Sequence, residues 1–186
     1  MEILRTHSAE EFEQFANDCL KGHDGCVIHI AKKPNVWTGV YENTFDRNEC
    51  EKRGLYVGKG QYLGGTIVCS KEDVSVCYTS LEKEGFAERI HDATLKWLKA
   101  KNINVTTDNN DILADGKKVF SWGRASAASG YTQTVVHYSV NIDLDLIKTI
   151  CKKPMEKTPG ALSDYGVAAE ECEAVIMEAL TNTSDR

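Results

Sequence analysis

Three segments carry residues whose types and order suit ligand chemistry: KKPNVWTGVYEN (32–43), GKGQYLGGTIVCSKEDVSVCYTS (58–80), and DNNDILADGKKVFSWG (108–123) followed by HYSVNIDLDL (137–146). In the second, Gly64 and Gly65 let backbone N–H groups close over a ligand without side-chain clash, and Thr66 follows them directly. In the third, Asn110 and Asp111 precede an Asp115-Gly116 turn and then Lys117 and Lys118. Alternation along a strand sends these two lysines to opposite faces, so that one can meet a ligand while the other meets solvent. Taken singly, each feature also has an ordinary explanation. A lysine after a D-G turn is a common hairpin residue, and glycine pairs mostly serve turns. His137 on an apolar strand reads first as a satisfied core histidine. Cys151 is a conceivable nucleophile, yet Ile147, Ile150 and Cys151 share the spacing of one buried helix face.

The elements that must position these residues follow from periodicity. Ser8 is a fitting N-cap, with Glu11 completing a capping box, for a helix from Ala9 to Lys21. Phe12, Phe15, Ala16, Cys19 and Leu20 give it one apolar face, and Gly22 ends it. Cys26–Ala31 and Val36–Tyr41 read as strands flanking a turn at Pro34. A short surface helix is expected over Asp46–Arg53, a strand over Leu55–Val57, and a loop over Gly58–Gly65, where four of eight residues are glycine. Strands follow at Thr66–Cys69 and Val74–Thr79. The longest helix is expected over Lys83–Lys101, with Phe86, Ile90, Ala93, Trp97 and Leu98 along its stripe. From Ile103 to Asp143 the chain is β-rich. Asp115-Gly116 turns a hairpin there, and Tyr131–Asp143 is the best strand by composition. Short helices after Leu144 and from Val167 to Leu180 close the chain. Helices mixed irregularly with hairpins favour an α+β fold over a doubly wound sheet.

Over residues 9 to 165 the order of these segments resembles the lipoate–protein ligase and octanoyltransferase family, itself related to biotin–protein ligases. Pro34, Val36, Gly39 and Asn43 match its first motif, with Glu42 where glutamine is usual. Gly64, Gly65 and Ile67 match its pocket loop. The run Asn110, Asp111, Ile112, Ala114, Asp115, Gly116, Lys117, Lys118, Val119 matches its central signature, and His137, Ser139, Val140, Asn141 and Asp143 can be laid on the motif that follows. The resemblance implies a mixed sheet flanked by helices, of the class II aminoacyl-tRNA synthetase-like kind. It also implies a two-step reaction. Lipoate attacks the α-phosphate of ATP to form an acyl-adenylate, and a lysine of a lipoyl-domain acceptor then takes the acyl group. By the same resemblance Lys118 is the catalytic lysine. Its ammonium offsets the repulsion between carboxylate and phosphate and stabilises charge growing in the transition state. Gly64, Gly65, Thr66 and His137 would line the pocket, and Asn110 and Asp111 would shape the nucleotide side, with Mg2+ near the phosphates.

The chain departs from the family pattern at Lys59 and Gly60, where two arginines are usual, and at Leu63, in place of a third glycine. Val68, Cys69 and Ser70 replace a Tyr-His-Asp run. Phe120, Ser121 and Trp122 replace a small pair, and the aromatic Trp122 is expected to reshape the acyl tunnel. Two alternatives follow: transfer from an acyl thioester through Cys151, or a family member that binds a ligand or partner without catalysis.

A net charge of −6 disfavours nucleic acid and anionic membranes as partners. The N-terminus lacks a signal-peptide pattern, and no apolar run approaches membrane-span length. Seven cysteines, an odd number without a CxxC pair, argue against a disulfide framework or a structural zinc site. These features suggest a reducing, cytoplasmic compartment. The expectation is a single domain over residues 1–186 without a C-terminal accessory domain, its partner a lipoyl-domain acceptor or a separate accessory domain.

Overall fold

The computed structural model describes residues 1–39, 44–60, 66–81, 85–153 and 155–181. Among the described residues, two sheets and five α-helices form the α+β architecture. The large sheet has the order β1-β2-β6-β10-β9-β8-β7, built from β1 (Glu2–Thr6), β2 (Gly25–Ile30), β6 (Val74–Ser80), β7 (Val105–Asp108), β8 (Asp111–Ala114), β9 (Lys117–Ser126) and β10 (Thr132–Tyr138). It is mixed, because β1 pairs parallel to β2 while the other pairings are antiparallel. The small sheet has the order β4-β3-β5, from β3 (Asn35–Thr38), β4 (Tyr56–Lys59) and β5 (Ile67–Cys69).

Alternation decides what each face of the large sheet meets. Ile28, Val76, Val136, Phe120 and Ile112 point to one face. There they pack with α3 (Phe86–Ala100) and α5 (Ala169–Thr181) into the principal core. Val27, Cys77 and Val135 point to the other face and pack with Phe12 and Ala16 of α1 (Ala9–Cys19) and with Trp37 and Cys69 of the small sheet. A third cluster, Val36, Phe45, Cys50, Leu146 and Ile150, seats α2 (Arg47–Lys52) and α4 (Leu144–Ile150) on the outer face of the small sheet.

The predicted elements are present with shifted limits. β1 was not anticipated. It is a five-residue edge strand without flanking turn residues, recruited by parallel pairing with β2. Ser8 caps α1, accepting from the Glu11 N–H, but the Glu11 carboxylate takes the Thr6 hydroxyl instead of the Ser8 N–H, so the capping box is incomplete. Asp115 and Gly116 have φ of 47° and 77°, the left-handed geometry that the expected two-residue hairpin turn requires. In α3 the buried stripe is Phe86, Ala87, Ile90, Thr94 and Leu98, rotated from the expected one. Thr94 is tolerated inside because its hydroxyl reaches the Ile90 carbonyl and the Tyr138 hydroxyl. Gly58 and Lys59 belong to β4 and not to the glycine-rich loop. A Cβ at Gly58 would lie 2.8 Å from the Trp37 ring, so close packing explains this glycine. All seven cysteines are free thiols, and Cys151 alone of them is not buried. Among the described residues no helix is long and apolar enough to cross a membrane.

Candidate active site

A row of polar residues crosses all seven strands of the large sheet in one register. Thr6 pairs with His29, His29 with Ser75, Ser75 with His137, His137 with Ser121, Ser121 with Asp111, and Asp111 with Asp108. Cross-strand partners share a face, and this is the face turned toward the small sheet. Where the two sheets separate, Asp111, Ser121 and His137 form the floor of a cavity of about 470 Å³, with Thr66, Ile67 and Val68 on its opposite wall. This size is ordinary for a small-molecule site.

Lys118 lines the cavity. Its Nζ lies 3.1 Å from Asp111 Oδ1, and its side chain is 38% exposed. A strap closes the cavity edge. The Lys118 N–H donates to the Thr158 carbonyl (2.8 Å), and the Gly160 N–H donates to the Lys118 carbonyl (2.8 Å). The strap thus adds a short parallel bridge to β9 and brings Lys157 to the site. Lys157 Nζ contacts Asp111 Oδ2 at 2.6 Å and Asp108 Oδ2 at 2.8 Å. These hydrogen bonds to Asp108 and Asp111 hold its ammonium above the usual lysine pKa. Asp111 is therefore shared between two cations at the cavity wall. Lys117 faces away and is exposed, as strand alternation predicted.

The inner wall is tied together by Asp73, which is 1% exposed. Its carboxylate accepts the Ser70 N–H (2.7 Å) and the Asn141 N–H (2.9 Å) and lies 3.6 Å from His137 Nε2. Burial raises the Asp73 pKa to about 7 against these stabilising N–H contacts. His137 Nδ1 is 3.1 Å from the Ser75 hydroxyl. Burial, with Lys118 nearby, depresses the His137 pKa to about 3, so the ring is neutral at physiological pH. Burial likewise lowers His29 to about 4. Cys151 is half-buried and lines the same cavity as Lys118, and burial raises its thiol pKa.

Of the residues singled out from sequence, the fold brings Thr66, Asp111, Lys118 and His137 to one cavity. Asn110 sits in the exposed turn between β7 and β8, where its backbone carbonyl accepts the Trp122 N–H (3.2 Å). Gly64 and Gly65 lie outside the described residues. Trp122 is not among the cavity residues, contrary to the expected reshaping of the tunnel. It packs against the principal core with Arg124 over its ring, while Ser121 faces the cavity. Sequence reasoning missed Lys157 and Asp73. No motif marks Lys157, which is placed by the strap's bridge to β9. Asp73 carries no turn or periodicity signal either, and only its convergence with Ser70, Asn141 and His137 reveals it.

No family model matches the chain, and no curated protein matches it in sequence. Comparison with solved structures gives a consistent fold. Lipoate-protein ligase A bound with ATP superposes with a TM-score of 0.77 at 15% identity, covering 98% of this chain and 84% of that one. A bi-partite lipoate protein ligase of Thermoplasma acidophilum, studied with its E2 lipoyl domain, gives 0.76 at 14% identity, covering 98% and 82%. P. falciparum LipL1 in complex with lipoate gives 0.78 at 11% identity, covering 100% of this chain and 63% of that one. The chain has the fold of the lipoate–protein ligases, as the signature around Lys118 suggested.

Proposed function

We propose that the protein activates a short-chain carboxylic acid, lipoate or a similar acyl acid, with ATP and passes the acyl group to a lysine of an acceptor protein. The observation that carries this reading is the Lys118 ammonium at the wall of a cavity between the two sheets, held by Asp111 and opposite Thr66. A carboxylate approaching the α-phosphate meets like charge. A fixed cation contacting both groups offsets that repulsion and gains strength as charge grows on the phosphate. Lys157 supplies a second cation, so an anion entering here can take over contacts that Asp111 now makes with both lysines. His137, neutral and locked between Asp73 and Ser75, offers the ligand a polar wall without adding charge.

Among the described residues no cluster of three metal-binding side chains exists. Asp108 and Asp111, adjacent across β7 and β8, fit the one or two carboxylates that Mg2+ takes beside substrate phosphates, where it would neutralise phosphate charge. Gly64 and Gly65 are assigned to the same pocket on the sequence match alone. A lipoyl-domain acceptor is the partner this reading calls for. The bi-partite neighbour, studied with its E2 lipoyl domain, supports that choice.

The test is pyrophosphate release on mixing the protein with ATP, Mg2+ and lipoate or octanoate, with and without a lipoyl domain and a supplied accessory domain. Release that depends on the acid supports activation. No release with either acid in any combination refutes it and favours a binding role without catalysis. A second reading is thioester transfer through Cys151, favoured by its place in the Lys118 cavity. Burial works against it by shrinking the thiolate fraction. Cys151→Ser is expected to retain activity within about threefold, and a loss on the order of a hundredfold would transfer the assignment to this route.

A further inference from the structure

Asp73 is a carboxylate almost wholly withdrawn from water, yet it lines the same cavity as Lys118. One oxygen accepts the Ser70 N–H and the other the Asn141 N–H. Among the described residues its only ion-pairing contact is His137, whose ring burial keeps neutral. Buried carboxylates are rare unless a cation meets them, and otherwise they take up a proton. Burial pushes Asp73 up to about 7, so near neutral pH it stands ready for either. The cation that would complete it has to come from an occupant of the cavity.

Position decides which cation fits. Asp73 directly precedes β6, and alternation puts it on the face of Ser75, the face turned toward the small sheet. Lys118 reaches the same cavity from β9, and only β10 runs between β6 and β9. The two backbones are thus two strand spacings apart, roughly 10 Å. That interval suits a carbonyl held by the Lys118 ammonium, an amine attacking it, and a carboxylate in contact with the amine. The other carboxylates of the cavity are engaged or exposed: Asp111 serves Lys118 and Lys157, and Glu156 stands in water on the strap. An acceptor lysine arrives as an ammonium, which has no lone pair to attack with until a base removes a proton.

We infer that Asp73 receives the acceptor lysine's ammonium inside the cavity and is the general base that frees its amine for attack on the acyl-adenylate. This rests on the proposed acyl-transfer role of the Lys118 cavity and supplies the base for its second step. One proton passes from the ammonium to Asp73. The amine forms the C–N bond to the acyl carbon, the bond from that carbon to the phosphate oxygen breaks, and its electron pair leaves with AMP. The second proton lost by nitrogen goes to water, and so does the one that Asp73 took. The groups around Asp73 leave this titration to it. His137 from β10 is already neutral, and burial pushes up the thiols of Cys69 in β5 and Cys172 in α5. Lys118 faces it from β9 as a cation, and Lys71 and Glu72 beside it in the chain are exposed.

Synthetic octanoyl-adenylate supplied with a lipoyl domain isolates this step, and single-turnover octanoylation of the domain's lysine reads it. For the unaltered protein the rate is expected to rise with pH through about 7, as Asp73 loses its proton, and then to level off. Asp73→Asn keeps the shape and one acceptor oxygen. It is expected to slow transfer at least about hundredfold at neutral pH. It is also expected to move the rise toward the lysine's own range near about pH 10, so that high pH restores much of the rate. Calorimetric affinity for octanoyl-sulfamoyl-adenosine, which cannot transfer its acyl group, is expected to stay within about threefold in the variant. An equal loss of that affinity, no recovery at high pH, or transfer indifferent to Asp73→Asn would overturn the inference. Should the variant fail to fold, the profile of the unaltered protein decides, and a rate climbing about tenfold per pH unit without a plateau up to the lysine's own range rejects the base. Pyrophosphate release is scored separately. Acid-dependent release with transfer that ignores Asp73 sinks this inference alone. Transfer from the supplied adenylate that needs Asp73, without release, sinks only the activation step, and neither release nor transfer sinks both.

Discussion

Replacing Lys118 by methionine keeps the aliphatic stem and removes the ammonium, so it separates a chemical role from a structural one. The structural cost is small. The Lys118–Asp111 pair is partly exposed, and such pairs contribute about 0.2–1 kcal/mol. Asp111 also keeps Lys157 at 2.6 Å after the change. For a chain of this length that is a fall of roughly 1–4 °C in Tm. The chemical cost is of another order. Removing one charge-stabilising contact from a preorganised site costs about 2.7–4 kcal/mol, a loss of about 10²–10³ in rate. Thermal melts followed by circular dichroism read the first, and ATP-dependent pyrophosphate release in single turnover reads the second. The expected result is a nearly unchanged melt with activity down at least a hundredfold. Activity retained within about threefold would refute a catalytic role for the ammonium. A melt lowered by more than about 10 °C with a matching activity loss would show that the lysine acts by holding the fold.

Three further outcomes follow from the same geometry. His29 and His137, depressed to about 4 and about 3, stay neutral in the folded chain while their unfolded counterparts gain protons below about pH 6.5, so each withdraws about 2 kcal/mol of stability by about pH 5. Asp73, raised to about 7, has the opposite sign and returns about 2–3 kcal/mol over the same interval, because the folded state binds its proton first. Urea unfolding is thus expected to show a modest net loss from pH 7 to about pH 5 that His137→Gln reverses; an unchanged slope in that variant contradicts the buried neutral ring. Gly160→Ala places a Cβ 2.7 Å from Lys117 Cβ and 3.1 Å from Val119 Cγ1, so the strap must leave β9. A cost of about 1–3 kcal/mol in unfolding free energy, with reduced pyrophosphate release, is expected, and a variant equal to the parent in both would show that the strap adapts freely. Lys157→Met is expected to weaken ATP binding with little effect on affinity for the acid alone; an equal loss for both would mean that Lys157 supports the cavity wall rather than the phosphates.

Local patterns carried much of the fold. The Ser8 cap, the Asp115-Gly116 turn and the alternation of Val74, Val76 and Tyr78 depend on neighbours in sequence, where spacing alone sets which way a side chain points. The same logic put Lys118 and Lys117 on opposite faces, and the ordered run from Asn110 to Val119 identified the fold that the solved structures share. Other features came from contacts between residues far apart in the chain. β1 exists because β2 offers it an edge, and Gly58 is a packing glycine because the Trp37 ring lies against it. Lys157 reaches Asp111, 46 residues away in sequence, only because the strap bridges to β9. Asp73 acquires its partners only when the turn at Ser70 meets the segment at Asn141. Burial is likewise a property of the assembled layers. No pattern in the sequence distinguishes a deeply buried histidine such as His29 from a solvated one. Only the stacking of the small sheet and α1 on the large sheet buries it and lowers its pKa.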